Sequence, residues 1–168
     1  PTAASGSSAV HGIRSSAVAA ALTITNNLVH GIQVSGTATA YNGITNSGAV
    51  TGTINLNNNQ LGNIDAGAVR FMFNNTGVVT GISNTGATAT TTVNLNNNSI
   101  EGILAVSLTS NLTGILSSAN AGVAININNN NLGSASADFN TYSAATSNTI
   151  FGFFNSGGVA ASTVISIS

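Results

Sequence analysis

Four copies of an asparagine-rich motif constrain the fold of this chain more than any other feature of its sequence. In each copy, aliphatic residues alternate with small polar residues and lead into consecutive asparagines. The copies read LTITNN, INLNNN, VNLNNN and ININNN and occupy residues 22–27, 54–59, 93–98 and 125–130. Alternation with a period of two predicts a strand with one buried face, and asparagine tolerates the left-handed backbone conformation of a sharp corner. Four such strands predict a repeat architecture.

The spacing of the motif predicts coils of two alternating lengths. Successive copies are separated by 32, 39 and 32 residues, counted from the first aliphatic residue of each. A second marker, a glycine followed by an apolar residue, recurs at Gly31, Gly43, Gly81, Gly102, Gly114 and Gly152. The spacing between successive markers alternates in the same way if Ile64 and Ala135 take the place of the marker in the coils where its glycine is displaced. One short and one long coil form a super-repeat of 71 residues, with units at about 22–92 and 93–163, and this period aligns Val164 with Val93.

We predict an all-β fold, a parallel β-helix or β-solenoid of about four to five coils that alternate between 32 and 39 residues. Residues 11–168 form a single solenoid domain, and residues 1–10 form an N-terminal extension or cap. Each coil contains three strand segments and is triangular. These are the asparagine-run strand, a second segment such as residues 100–106, and a third Thr/Asn-Gly-Ile segment such as residues 112–116.

The long coils carry extra residues between their second and third segments, within residues 65–80 and 136–151. The aromatic residues of these loops are Phe71, Phe73, Phe139 and Tyr142. They fold back over a sheet and extend its core, or they form an exposed apolar ridge that binds partners. The second interpretation makes the loops a candidate binding face.

The scarcity of charge follows from the same stacking. Charged residues make up 3% of the chain, against about 25% in an average globular protein. Equivalent side chains of stacked coils lie about 4.8 Å apart, so a repeated charge would face its own kind, whereas neutral amides can hydrogen-bond along the stack. The predicted ladders are Thr25, Asn57, Asn96 and Asn128; Asn26, Asn58, Asn97 and Asn129; and Asn27, Asn59, Asn98 and Asn130.

Composition argues against several classes of function. The net charge is −1 and Arg14 and Arg70 are the only cationic residues apart from histidine, so we expect no nucleic-acid partner. No apolar run approaches 18 residues, which predicts no membrane span. The absence of cysteine rules out a disulfide framework.

The motif, NNN followed by an apolar-x-Gly-Ile segment and then by Thr-Gly-Ile-x-Asn, resembles the right-handed parallel β-helix repeats of secreted and cell-surface bacterial proteins. The resemblance covers about residues 11–168. It implies a right-handed solenoid and a secreted, extracellular or cell-surface location. Many members of this class are adhesive or structural, but β-helices also include polysaccharide lyases and hydrolases, so the resemblance does not fix an activity.

The ionisable residues do not form an evident catalytic group. Asp65 and Asp138 lie on nearly equivalent loops about two coils apart. His30 and Glu101 fall in one stack with Asn63 between them, but no third or fourth metal ligand accompanies them. We predict that the chain is not an enzyme and has no catalytic, metal or cofactor site.

The preferred hypothesis is a structural protein that stacks end to end into a filament, or forms an adhesin stalk, with other copies of itself as partner. Its assembly ends are the strands that contain Ile13 at one end and Val164, Ile165 and Ile167 at the other. An alternative is a β-helix that binds or cleaves carbohydrate on its long-loop face, with cell-surface glycans as partners. A lesser alternative is an ice-binding face, suggested by Thr23, Thr25 and the threonines of residues 88–92.

Overall fold

The computed structural model describes residues 9–63, 68–157 and 164–167. Within these ranges the chain forms strands and no helix, and every strand pairing is parallel. The strands are β1 (Val10–Ser15), β2 (Ala19–Thr25), β3 (Leu28–Val29), β4 (Gln33–Val34), β5 (Tyr41–Asn46), β6 (Val50–Asn57), β7 (Gln60–Leu61), β8 (Val69–Phe71), β9 (Val79–Asn84), β10 (Thr92–Asn94), β11 (Ser99–Ile100), β12 (Ile103–Ala105), β13 (Leu112–Ser117), β14 (Ala124–Ile127), β15 (Asn131–Leu132), β16 (Asn140–Tyr142), β17 (Ile150–Asn155) and β18 (Val164–Ile167).

These strands form four stacked sheets. The asparagine sheet has the order β2-β6-β10-β14-β18, and the glycine sheet has the order β1-β5-β9-β13-β17. The first short sheet is β3-β7-β11-β15 and the second short sheet is β4-β8-β12-β16. Each full coil supplies one strand to each sheet in turn, so the chain winds through about four turns. The predicted all-β parallel solenoid is confirmed.

The prediction of three strands per coil is wrong, because the expected second segment is two strands. A glycine with positive φ lies between these two strands in every full coil: Gly31 (64°), Gly62 (68°), Gly102 (67°) and Gly133 (82°). Glycine adopts this conformation without steric cost. The backbone therefore turns after β11 and begins β12 in a different sheet, where the sequence pattern suggested one continuous strand.

The extra residues of the long coils lie earlier than predicted. Strand β7 ends at Leu61 and β8 begins at Val69, whereas in the short coil β11 ends at Ile100 and β12 begins at Ile103. In the second short sheet Ile103 pairs with Val69 and Asn140. Ala135 therefore does not hold the marker position, and Ile64 lies outside the described residues. Each predicted long loop contains a short strand, β8 in the first and β16 in the second.

The coil steps of the asparagine sheet match the sequence until the last one. Leu22 pairs with Ile54, Ile54 with Val93, and Val93 with Ile125, as the steps of 32, 39 and 32 residues require. Ile125 then pairs with Ile165, a step of 40 residues. The predicted alignment of Val164 with Val93 is therefore wrong by one residue, and Val164 is 62% exposed.

Stacked aliphatic side chains fill the interior along the whole solenoid. The central members of the two stacks from the asparagine sheet have no exposed surface; they are Ile54, Leu56, Val93, Leu95, Ile125 and Ile127. Burying one such side chain stabilises a fold by roughly 1.5–3 kcal/mol. The buried strand face predicted from the alternation is confirmed.

Glycine lets the glycine sheet approach the first short sheet closely. A Cβ added at Gly43 would lie 1.9 Å from Leu61 Cδ2. One added at Gly81 would lie 2.6 Å from the carbonyl oxygen of Gly114 and 2.7 Å from Ile100 Cδ1. The glycine row therefore leaves the space that the facing aliphatic row occupies.

We expect Gly81→Ala to lower the free energy of unfolding by about 1–3 kcal/mol, because the new methyl group overpacks the core against backbone as well as side chain. Gly152→Ala is the matched control, since its Cβ would meet only Leu132 Cδ1, at 3.0 Å. Chemical denaturation of the two variants checks the prediction. Equal losses for both would contradict it.

Candidate functional site

The corners that follow β2, β6, β10 and β14 are each made by an asparagine with positive φ. Asn26, Asn58, Asn97 and Asn129 have φ values of 58°, 56°, 56° and 54°. This confirms the left-handed corner predicted from the sequence. All four residues are exposed, and among the described residues no hydrogen bond joins their side chains. The predicted ladder at this position is therefore wrong, because the residue that turns the chain lies at the surface.

The next asparagine forms a continuous ladder of side-chain hydrogen bonds. Asn27 Nδ2 donates to Asn59 Oδ1 at 3.0 Å, Asn59 Nδ2 to Asn98 Oδ1 at 3.2 Å, and Asn98 Nδ2 to Asn130 Oδ1 at 3.0 Å. The same oxygens accept the backbone N–H of the preceding coil's asparagine at 2.8–3.1 Å. Asn59 and Asn98 are 1% exposed. This inner ladder lies where the sequence predicted it.

The inner ladder also binds the backbone of the preceding strand. The second amide proton of Asn59 is donated to the carbonyl oxygen of Ile24 at 2.9 Å, and that of Asn98 to Leu56 at 2.9 Å. Asn130 does the same to Leu95 at 2.8 Å. Each central amide thus links three coils, and it uses two donors and one acceptor to do so. A carboxylate has no donor and could not replace it.

A second amide ladder runs along the outer face of the asparagine sheet, and sequence analysis missed it. Asn94 Nδ2 donates to Asn55 Oδ1 at 2.9 Å, and Asn126 Nδ2 donates to Asn94 Oδ1 at 2.8 Å. Thr23 lies in register with this row. Because this row consists of one threonine and three asparagines, the face carries no continuous row of threonines. The sequence signal was the repeated asparagine at the outward strand position.

Most threonines of residues 88–92 form hydrogen bonds within the fold. Thr91 Oγ1 donates to the carbonyl oxygen of Val50, and Thr90 Oγ1 donates to that of Thr51 at 2.6 Å. Thr88 N–H donates to Thr91 Oγ1 at 2.8 Å. Thr91 has no exposed surface. These contacts fasten one corner to the coil before it.

The first asparagine of the run contributes differently. Asn57 Oδ1 accepts the backbone N–H of Asn96 at 2.8 Å, and Asn96 Oδ1 accepts that of Asn128 at 2.8 Å. These bonds join side chain to backbone, whereas the inner ladder also joins side chain to side chain. Together the rows tie every corner of this edge to its neighbours.

A further row, buried at Asn46, Asn84 and Ser117, ends the strands of the glycine sheet, with Asn155 in register. Asn46 Nδ2 donates to Asn84 Oδ1 at 2.9 Å and to the carbonyl oxygen of Gly86 at 2.7 Å. Ser117 is fully buried, and its hydroxyl, Asn84 Nδ2 and Asn155 Oδ1 are buried without a hydrogen-bond partner. The shorter serine side chain interrupts the row of amides that the Thr-Gly-Ile-x-Asn segments otherwise supply.

The candidate binding face is mostly core. Phe71 lies on β8, is 3% exposed, and packs edge-on against Tyr41 with ring centroids 6.1 Å apart. Phe139 and Tyr142 are partly buried and pack against the core. Partial burial raises the pKa of Tyr142, whose hydroxyl oxygen accepts a hydrogen bond from Asn148 Nδ2 at 2.8 Å. Of the four aromatic residues only Phe73 is largely exposed, at 54%.

The ionisable residues are dispersed. Glu101 is 7% exposed and its Oε1 accepts a hydrogen bond from Gln60 Nε2 at 3.3 Å. The prediction that Asn63 lies in one stack with Glu101 is wrong by one residue, because the register of Ile100 with Leu61 continues to Glu101 and Gly62. Asp138 is exposed and Asp65 lies outside the described residues. In the ranges that the structure describes, no three His, Cys, Asp or Glu residues are close enough to hold a metal ion.

The two ends of the solenoid differ in chemistry. At the N-terminal end, β1 carries Arg14 at the surface and His11 partly buried; burial and the Arg14 charge lower the pKa of His11. Ile13 on the same strand packs against the core. At the other end Val164 and Ile167 are 62% and 53% exposed. Ile165 pairs with Ile125 through its backbone.

Comparison with known proteins adds no family assignment. No protein-family model, curated protein or solved structure matches the chain. In the described part of the chain, no helix has the length and apolar character needed to cross a membrane.

We expect Asn98→Asp to lower the free energy of unfolding by at least about 3 kcal/mol at neutral pH, because it places an unpaired charge in the buried ladder and removes two donors. Asn97→Asp is the matched control. Its side chain is exposed and aspartate tolerates the left-handed conformation, so its loss should stay below about 1 kcal/mol. Thermal denaturation compares the two.

The loss in free energy of unfolding caused by Asn98→Asp should also depend on pH. Burial raises the pKa of the new carboxyl in the folded state above its unfolded value of about 4. The loss of stability is therefore smallest below pH about 4. It grows as the pH rises through the pKa that the new carboxyl has in the folded state. A deficit that does not change with pH would argue against burial of this position.

We expect the double variant Ser117→Asn/Ala119→Gly to be more stable than Ala119→Gly alone by about 1–3 kcal/mol, because an asparagine at 117 can pair with both Asn84 and Asn155. The glycine is included because Asn46, Asn84 and Asn155 are each followed two residues later by glycine. Denaturant titration measures the difference. No gain would mean that the row does not accept a continuous ladder.

Proposed function

We propose that this chain is a non-enzymatic structural protein, an extracellular β-solenoid that stacks end to end into a filament or forms the stalk of an adhesin. The observation that carries the proposal is the inner ladder, in which Asn27, Asn59, Asn98 and Asn130 repeat one hydrogen-bond arrangement from coil to coil. Such an arrangement has no intrinsic length. It suits a shaft that grows along its axis.

The energetics of stacked coils support the same proposal. In repeat proteins each unit contacts only its neighbours, so added units add stability without rearranging those already present. Each added coil lengthens this solenoid by about 4.8 Å. With 3% charged residues and a net charge of −1, little electrostatic repulsion opposes association.

The sheet edges supply the means of association. Among the described strands, β1 and β17 are the two edges of the glycine sheet, and β2 and β18 are those of the asparagine sheet. Unpaired N–H and C=O groups along an edge strand are a template for another strand. That strand belongs to a second copy in a filament, or to further coils of one longer array in a stalk. The extracellular location rests on the resemblance to secreted and cell-surface bacterial β-helix repeats.

A groove on the outer face of the second short sheet supports glycan binding as a second candidate function. It has a volume of about 320 Å³ and is lined by Arg70, Phe71, Met72, Leu104, Ala105, Val106, Thr141 and Ser143. A guanidinium group and hydroxyl groups over an apolar floor suit a sugar that carries a carboxylate. Binding to a glycan array that is lost in Arg70→Ala would support this function. A cleaving activity would require the loop carboxylates, and its survival in Asp65→Asn/Asp138→Asn would exclude that version.

Electron microscopy and sedimentation of the purified chain test the filament directly. We expect fibres whose length increases with protein concentration. Particles that stay dispersed at high concentration would contradict the filament but not the stalk, in which further coils belong to the same chain.

A further inference from the structure

We propose that copies of this chain join head to tail in one defined register, with β1 of one copy added to β17 of another and β2 added to β18, and that Arg14 stacks on Phe154 at the junction. This inference rests on the proposed filament. It specifies which strands meet and which side chains select the partner.

The register comes from the pairing already present in the glycine sheet. In four successive pairings Val10 lies beside Tyr41, Tyr41 beside Val79, Val79 beside Leu112, and Leu112 beside Ile150. One more strand added by the same rule places Val10 of the second copy beside Ile150. It also places Ile13 beside Phe153 and Arg14 beside Phe154.

The row that contains Arg14 and Phe154 has a cation at one end and an aromatic ring at the other. It holds Arg14, Thr45, Ser83, Leu116 and Phe154. The parallel row holds His11, Asn42, Thr80, Thr113 and Phe151. One edge strand of the glycine sheet therefore carries Arg14, and the opposite edge strand carries the aromatic rings of Phe151 and Phe154. Within a single copy they are four strands apart and do not meet.

Head-to-tail stacking of two copies brings Arg14 of one copy next to the aromatic rings of the other. Phe154 is 40% exposed, and its ring centroid is 5.0 Å from that of Phe151 in a tilted arrangement. Arg14 is exposed. Neighbouring strands are about 4.8 Å apart, which is within the range of about 6 Å over which a guanidinium group is attracted to a ring.

The same arrangement also continues the asparagine sheet across the junction. Thr92 pairs with Thr53 and Ala124, Ala124 pairs with Val164, and Thr53 pairs with Ala21. A second copy therefore places Ala21 beside Val164 and Ile24 beside Ile167. The exposed side chains of Val164 and Ile167 become covered. At the junction, each of the two short sheets lacks the strand that would continue it from one copy to the next. The junction is therefore made by the glycine sheet and the asparagine sheet alone.

The glycine row favours a second copy over an unrelated strand. Gly12 and Gly152 occupy the same row as Gly43, Gly81 and Gly114, where a Cβ meets a facing side chain or backbone oxygen. An added strand needs glycine at its third position and apolar residues at its first and fourth. The sequence VHGIRS of β1 meets these conditions.

A charge exchange across the junction tests the contact. Phe154→Arg places two guanidinium groups side by side and should weaken association at least tenfold, because like charges on adjacent strands repel. Arg14→Glu/Phe154→Arg should restore association to within about threefold of the parent protein through a Glu–Arg pair. Sedimentation equilibrium measures both, and thermal denaturation checks that each variant folds. Unchanged association in Phe154→Arg, or no recovery in the double variant, would overturn the Arg14–Phe154 contact.

Cysteine crosslinking tests the register, since the chain has no cysteine of its own. On oxidation, Arg14→Cys/Phe154→Cys should give a ladder of covalent multimers, because directly opposed strands bring the Cα atoms within disulfide range. Arg14→Cys/Phe151→Cys is the matched control; its offset of three residues, roughly 10 Å along the strand, should prevent closure. Equal crosslinking in the two variants, or none in either while the unmodified protein still forms filaments, would overturn the proposed register. Absence of any assembly in the unmodified protein would instead contradict the filament itself.

Discussion

The hydrogen bond between the amides of successive coils is the interaction on which this structure depends. An asparagine side chain offers two donors and an acceptor, and the inner ladder uses all of them: one proton to the next coil, one to a carbonyl of the previous coil, and the oxygen to both backbone and side chain. This requirement fixes the residue type at the corner and holds the coils at strand spacing. It also explains the low charge, because a carboxylate or ammonium group in the row would lack partners and face its own kind.

The sequence was sufficient where side-chain chemistry repeats at a fixed step. The positive φ at Asn58 and the ladder at Asn59 followed from the runs of asparagine, and the steps between them gave the register of the asparagine sheet. It was insufficient where strands are too short to show a pattern. Strands of two residues such as β7 have no detectable alternation, and Gly62 lies one residue earlier than Gly31 or Gly102 relative to the strand before it. The position of the extra residues in the long coils, and with it the placement of Phe71, could not be deduced from length alone.

The candidate site could be predicted only in part, for a related reason. The inner ladder is a run of identical residues, whereas the row of Asn46 and Asn84 is broken by Ser117, so its asparagine is not present in every coil. The chemistry of the ends was harder still, because Arg14 and Phe154 are far apart in one chain and differ from every residue between them in their row. Periodicity reveals what the coils share. The features that would select a neighbour are those that occur once.

The two amide ladders also differ in direction. Along the inner ladder each amide donates toward the C-terminal end of the solenoid, whereas Asn94 and Asn126 on the outer face donate toward the N-terminal end. Side-chain amide dipoles in these two rows are therefore opposed and partly offset each other along the axis. A helix accumulates a macrodipole as its peptide units align. A solenoid with opposed ladders accumulates less side-chain dipole as it lengthens than one whose ladders all point the same way.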